Sequence, residues 1–283
     1  MRRHDAAGRN AASGGGVKRN PDLCTPLAFG RLIRSSSCPQ SLEREFFVKF
    51  AYLIEPPFNY RTADGTVTGC DVELARYIFS QIGIASFEPI ETEFARLIPG
   101  IVHGRWRMTT GLFATDERRK AVAFTRPIWA LADGLLVRQG NALILSGYAS
   151  VADNTACTLA VVRDQYQHRS ALEFGVPERR ILIFETYGEA AAAVRDGRAG
   201  AFASVARAHA GFIDGHPDWK LDVVAVPAVE KPPAYGAFAV GKTDDEFRRM
   251  IDSVLERFVG SEAHRSMMAK FGFTDEDIDR LVR

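Results

Sequence analysis

The feature of this sequence that most narrows its choice of fold is an alternation of short β-type runs with helical apolar stripes. It stops near residue 140 and then starts again. Residues 46–54 carry Val48, Phe50 and Tyr52 on one face, the period-two spacing of a strand. EPPFNYRTADGTVTG follows, with two prolines and an Asp64-Gly65 turn signal, and reads as a loop or loose hairpin. Asp71 offers an N-cap to a helix whose stripe Val72, Ala75, Phe79 and Ile82 ends at Gly83. A strand at 87–90 and a helical stripe at 94–102 come next, with Pro99 placing the true helix start late. Strands are expected at 108–114 and 122–124 on either side of the polar turn TDERRK, and another at 135–137. After a Gly- and Ser-containing joint at 140–150, strands at 158–162, 181–184, 201–203 and 221–226 alternate with helices at 165–174, 189–196 and 205–213. A strand at 237–240 precedes a helix with the stripe Phe247, Ile251, Val254, Leu255 and Phe258 behind the acidic turn Asp244-Asp245-Glu246. Thr274 opens a T-x-x-D capping box. This order predicts an α/β architecture with largely parallel sheets, and the restart predicts two lobes.

Composition removes several classes of function. Lys plus Arg number 36 and Asp plus Glu 35, a net charge of +1, so the basic excess that binds nucleic-acid phosphates is missing. No run of about 18 apolar residues exists to span a membrane. Cys24, Cys38, Cys70 and Cys157 match no zinc spacing. Cys24 and Cys38 paired in an oxidising compartment, or four free thiols, both fit the sequence. His103, His168, His209 and His216 show no metal pattern and are expected in ordinary surface roles. No metal and no cofactor is expected. Residues 1–43 read as a disordered tail, its first 20 residues basic and without an apolar face. The nearest candidate for a leader, 23–33, is broken by Pro26, Gly30 and Arg31. Either export is not used, or the natural start lies elsewhere.

Three segments carry a family resemblance. VKFAYLIEPPFNYRTADGTVTGCDVELARYI contains Gly69-Cys70-Asp71-Val72-Glu73-Leu74 at the start of its helix. FARLIPGIVHGRWRMTTGLFATDERRKAVAFTRPIW and the later YGAFAVGK, followed by a long helix, come in the same order. Together they resemble the family-3 extracellular solute-binding proteins, the polar amino-acid-binding components of ABC importers, over residues 44–283. The resemblance implies a periplasmic-binding-protein-like fold of type II, two α/β lobes joined by two hinge strands. With crossings near 137–138 and 226–228, lobe one would hold 44–137 and 228–283, and lobe two 138–227. It further implies a periplasmic monomer, not an enzyme. A small zwitterionic or carboxylate, amino-acid-like ligand would lie in the cleft, and hinge closure would make the surface read by an ABC transporter permease.

The resemblance also nominates the binding residues. Arg118 matches the arginine that holds the ligand carboxylate, a task suited to a two-pronged guanidinium. Gly111 and Phe113 match a strand end that offers main-chain N–H groups, although Phe113 stands where many members have Thr or Ser. Thr110 lines the same edge. Glu55 occupies a slot usually aromatic; it reads either as a partner for a ligand cation or as a solvated loop residue. Phe58, Trp129 and Tyr166 are candidate aromatic walls, with Phe58 expected first as a core anchor of the loop. In lobe two the family's V-x-x-G-T becomes Val162-Arg163-Asp164-Gln165-Tyr166, with Gln165 keeping an N–H in the Thr slot. The acid that holds an α-ammonium in amino-acid binders is missing at Ser204 or Val205. Glu55 would then substitute, or the ligand carries a different cation, as in compatible solutes or opines. Arg107 stands where the family prefers Asp, a structural position. A cyclohexadienyl dehydratase-like enzyme on the same fold is the alternative, with Glu55 or Glu173 as its general acid–base.

Overall fold

The first β-type run becomes β1 (Phe47–Tyr52), with Val48, Phe50 and Tyr52 fully buried. The computed structural model describes residues 47–282, so the expectations for the tail, the leader and Cys24 and Cys38 lie outside the described residues. Cys70 and Cys157 are buried free thiols.

The loop after β1 turns back as a hairpin of β2 (Tyr60–Arg61) and β3 (Val67–Thr68). Helix α1 (Cys70–Gln81) starts after Gly69, one residue before the expected cap at Asp71. Gly69 has φ 127°, and a Cβ there would lie 2.1 Å from the Phe58 carbonyl oxygen, so only glycine fits. Loop carbonyls meet the first helical N–H groups: Cys70 donates to Pro57 at 2.9 Å and Asp71 to Phe58 at 3.1 Å. The Asp71 side chain is thereby left to bond Thr110, Gly111 and Trp129 behind the cleft wall.

Strand β4 (Ser86–Glu91) leads through a 3-10 turn (Phe94–Arg96) into α2 (Leu97–Val102), with Pro99 in the first turn as the sequence predicts. After β5 (Met108–Phe113), the polar run expected as a turn forms the short helix α3 (Asp116–Arg119). Thr115 caps it, its hydroxyl accepting the Arg118 N–H at 3.3 Å. Strands β6 (Ala123–Phe124) and β7 (Trp129–Leu131) follow.

The second sheet begins immediately. It takes β8 (Asp133–Arg138), α4 (Tyr148–Asp153), β9 (Leu159–Val162), α5 (Tyr166–Glu173), β10 (Ile181–Phe184), α6 (Tyr187–Arg195), β11 (Ala201–Val205), α7 (Ala206–Gly215) and β12 (Leu221–Ala225). The chain then returns through β13 (Ala234–Val240) and ends in α8 (Asp245–Phe258), α9 (Glu262–Ala269) and α10 (Asp275–Val282). The first crossing therefore falls at Ala132 rather than at 137–138, because β8 pairs with β11 and β12. Only one residue, Ala132, separates β7 from β8.

The first sheet has the order β4-β1-β5-β13-β6, with β7 also on β13; the second has β10-β9-β11-β8-β12. Each keeps parallel pairs at one side, β1 with β4 and β5, β9 with β10 and β11. Both are mixed, because the strands beside the crossings run the other way: β13 against β5 and β8 against β11. On α8 the stripe of Phe247, Ile251, Val254, Leu255 and Phe258 is buried as expected. The box at Thr274 forms, its hydroxyl and N–H both donating to Asp277 at 2.9 Å. Arg107 grips Asp244 through two bonds of 2.6 and 3.0 Å and lies over the Phe247 ring, a structural role.

Candidate ligand cleft

Asp71 organises the first-lobe wall. Its buried carboxylate accepts from the Thr110 hydroxyl at 2.6 Å, the Gly111 N–H at 2.8 Å and Trp129 Nε1 at 3.1 Å. Burial pushes this carboxyl above its usual range, and the three hydrogen bonds oppose the shift. The Gly111 amide, expected to face a ligand, is thus committed to Asp71. The missing side chain of Gly111 serves the indole instead, since a Cβ there would lie 2.7 Å from Trp129; at Gly236 it would lie 1.9 Å away.

Trp129 packs against Phe58 (ring centroids 5.7 Å apart) and Phe113 (5.4 Å), and Phe113 meets Tyr166 of the other lobe edge-on at 5.8 Å. Phe58 also touches Phe273, so it is wall and core anchor together. Phe113 contributes its ring and its carbonyl, which accepts from Arg118 Nη1 at 3.0 Å.

Glu55 is not a solvated loop residue; it is 8% exposed. Backbone bonds fold Glu55 to Asn59 into a tight loop, Glu55 donating to Asn59 at 2.9 Å and accepting from Phe58 and Asn59 at 3.0 and 3.1 Å. Oε1 accepts from two second-lobe donors, Gln165 Nε2 at 3.3 Å and the Ser204 hydroxyl at 3.2 Å. Burial pushes its carboxyl up to about 7; Gln165 and Ser204 pull it down and the nearby Asp71 charge pushes it up.

Arg118 reaches across the cleft as well. Nη2 donates to the Asp164 carbonyl at 2.9 Å, and the guanidinium lies over the Phe94 ring. Among the described residues it has no carboxylate partner, and two bonds leave roughly three of its N–H groups for a ligand. Burial lowers it to about 10, still a cation at neutral pH. Asp164 adopts a left-handed φ of 62°, a conformation that Asp reaches more readily than most residues. Gln165 donates its backbone N–H to Val162 at 3.1 Å, so that amide, expected to face the ligand, is closed off. What Gln165 offers is its side chain.

All ten residues nominated from sequence line one cavity between the lobes: Glu55, Phe58, Thr110, Gly111, Phe113, Arg118, Trp129, Gln165, Tyr166 and Ser204. Asn59 and Gln167 line it too and were not anticipated. Asn59 Nδ2 donates to Thr110 at 2.7 Å, whereas Asn59 Oδ1 and Gln165 Oε1 are buried without a partner. Glu173 is absent from the lining and pairs with Arg169 at 2.7 Å on an exposed face. Among the described residues no cluster of His, Cys, Asp and Glu has metal-binding geometry. His209, expected at the surface, is fully buried: Nδ1 accepts from the Tyr187 hydroxyl at 2.5 Å and Nε2–H donates to the Gly134 carbonyl at 3.2 Å. Burial lowers it to about 3, so it is neutral.

Two mixed α/β lobes, joined by two crossings and closed over a buried aromatic and polar cavity, define a protein that shuts around a small molecule. The chain belongs to the bacterial extracellular solute-binding proteins, family 3, whose model matches residues 48–274. It is 27% identical over 243 residues to a probable amino-acid ABC transporter periplasmic-binding protein of Sinorhizobium fredii, covering 82% of this chain and 79% of that one. Among solved structures it is similar to EhuB in complex with hydroxyectoine, at 28% identity and TM-score 0.76, covering 85% of this chain and 94% of the other. The holo form of ArgBP from T. maritima shares the fold at 21% identity and TM-score 0.69, covering 83% and 100%. The family consists of solute-binding proteins and not of enzymes. The chain is accordingly a solute-binding protein. The family is extracellular, and among the described residues no helix is long and apolar enough to cross a membrane.

Proposed function

We propose that the cavity takes a zwitterionic solute derived from an amino acid, its carboxylate on Arg118 and its cationic, N–H-bearing end on Glu55. One observation carries this reading: a half-buried guanidinium without a carboxylate partner and a buried carboxylate without a cationic partner line the same cavity. Unpaired charges of opposite sign lining one cavity are what a zwitterion neutralises. The unpartnered oxygens of Asn59 and Gln165 add acceptors for N–H groups. A quaternary ammonium has no N–H and would leave both bare. The aromatic walls suit a flat or compact apolar body. Hydroxyectoine in the EhuB complex, at 28% identity, supports the compatible-solute class.

In this reading the protein works as a periplasmic monomer and hands its ligand to an ABC permease. Thermal-shift and calorimetric titration with hydroxyectoine, L-arginine and glycine betaine tests the ligand class. Saturable binding of an N–H cation with betaine inert is expected; betaine binding most tightly would overturn the reading.

A further inference from the structure

A second polar cluster lies behind the cavity, where the chain passes between lobes. The carboxylate of Asp133, the first residue of β8, has 1% of its side chain exposed and is paired with Nζ of Lys231, itself 12% exposed. Lys231 sits in the return segment between β12 and β13. The same carboxylate accepts from the Tyr148 hydroxyl at 2.6 Å and from Gln167 Nε2 at 2.9 Å. Val226 donates its N–H to the Asp133 carbonyl at 3.0 Å, and Glu230 accepts the Tyr148 N–H at 2.5 Å. Both crossings are therefore fastened to the first turns of α4 and α5. The Lys231 ammonium also lies over the rings of Tyr166 (4.6 Å) and Tyr148 (5.7 Å).

The cluster reaches the cavity through α5. Tyr166 and Gln167 are its first two residues, and both line the cavity. A carboxylate in an ion pair only accepts, so Gln167 must turn its NH2 towards Asp133. The amide oxygen is the end left for the cavity, which makes Gln167 an acceptor beside Asn59 Oδ1 and Gln165 Oε1. Without the ammonium, the Asp133 carboxylate would be a buried charge lacking its counter-ion, and the arrangement would not hold.

We propose that Asp133 and Lys231 are positioning residues for the ligand. The pair fixes the donor–acceptor polarity of Gln167 and the setting of Tyr166, and ties both to the path of the two crossings. The inference rests on the reading that this cavity holds an N–H-bearing cation.

The test uses the full chain, with hydroxyectoine and L-arginine as probes, and the variants Lys231→Met and Asp133→Asn/Lys231→Met. Lys231→Met should raise Kd at least about tenfold. The double variant removes both charges and should regain most of the unliganded Tm. It should nevertheless stay about tenfold weak, because an amide at 133 no longer dictates which end Gln167 presents. A purely structural role predicts that affinity returns with Tm; that result, or Lys231→Met binding within about twofold of wild type, overturns the proposal. Amide exchange at 166–169 gives a readout without ligand, expected to quicken in Lys231→Met. If the wild type binds neither probe, the ligand-class reading fails separately, and unchanged exchange at 166–169 then overturns the role of the pair.

Discussion

The Glu55 carboxylate and the Ser204 hydroxyl meet at 3.2 Å across the cleft, one from each lobe. No carboxylate stands at Ser204 or Val205, and the negative charge sits on the opposite wall, at Glu55. Glu55→Gln should weaken binding of a cationic ligand by about 2–3 kcal/mol, roughly 30- to 150-fold in Kd, because a charge-assisted bond becomes a neutral one. Calorimetric titration measures this, and an unchanged Kd would remove Glu55 from the ligand.

Acid and base effects can be separated in the same variant. Glu55 titrates near 7 when folded and near 4.5 in an unperturbed chain, so its contribution to stability falls as pH rises between those values. His209 titrates near 3 when folded against 6.5, so its contribution is complete above 6.5 and is lost as pH falls. From about pH 4.5 to 6.5 the Glu55 slope opposes the His209 slope, to which His264, lowered to about 4 by burial, adds. Glu55→Gln should expose the histidine slope, about 1.4 kcal/mol per pH unit, relative to wild type in urea unfolding.

Ligand affinity should carry the opposite signature to that of unliganded stability. The ionised form of Glu55 receives the cation, while Asp71 holds it back from ionising and the Gln165 and Ser204 donors favour it. Arg118 shares the cavity, and buried Tyr187 lies near enough to feel the Glu55 charge. The Kd of a permanently cationic ligand should therefore fall about tenfold per unit from pH 5 towards 7 and then level off. A flat profile across that range would contradict the assignment.

Arg118→Ala should abolish carboxylate binding, raising Kd by about 100-fold or more, with the circular dichroism spectrum unchanged. Arg118→Lys keeps the charge but not the fork that holds the Phe113 and Asp164 carbonyls, and should recover only part of the loss.

Closure has its own prediction. Gly211 of α7 packs on the first lobe, where an added Cβ would lie 2.7 Å from the Pro57 ring. Gly211→Ala should hold the lobes apart, raise Kd about tenfold and leave the unliganded Tm near wild type. Small-angle scattering at saturating ligand should then report a larger radius of gyration.

Local patterns carried most of the architecture. The α8 stripe, the late start of α2 and the Thr274–Asp277 box depend on neighbours within a few residues, and the sequence displays them directly. The cleft residues were legible because a motif brings them together, although their roles shifted. The Gly111 amide goes to Asp71, 40 positions away, and no local rule reveals that. His209 looked like a surface residue because its partners Tyr187 and Gly134 are 22 and 75 positions distant. Gln167 was missed for the same reason: the carboxylate that orients it lies 34 residues upstream. Nonlocal hydrogen bonds decided Gly111, His209 and Gln167, whereas the Gln165 amide is closed off locally by Val162.

The whole second sheet comes from one unbroken stretch, whereas the first sheet lacks β13 until after that stretch has been made. On the ribosome, β1, β4 and β5 emerge first and wait with one edge bare, while the later-made lobe closes its own sheet from contacts within about 95 residues. Docking of β13 beside β5 then completes the older lobe and draws the crossings together. The lobe synthesised first is thus the one finished last, and a chain stopped before residue 234 would hold a complete second sheet beside an open first one.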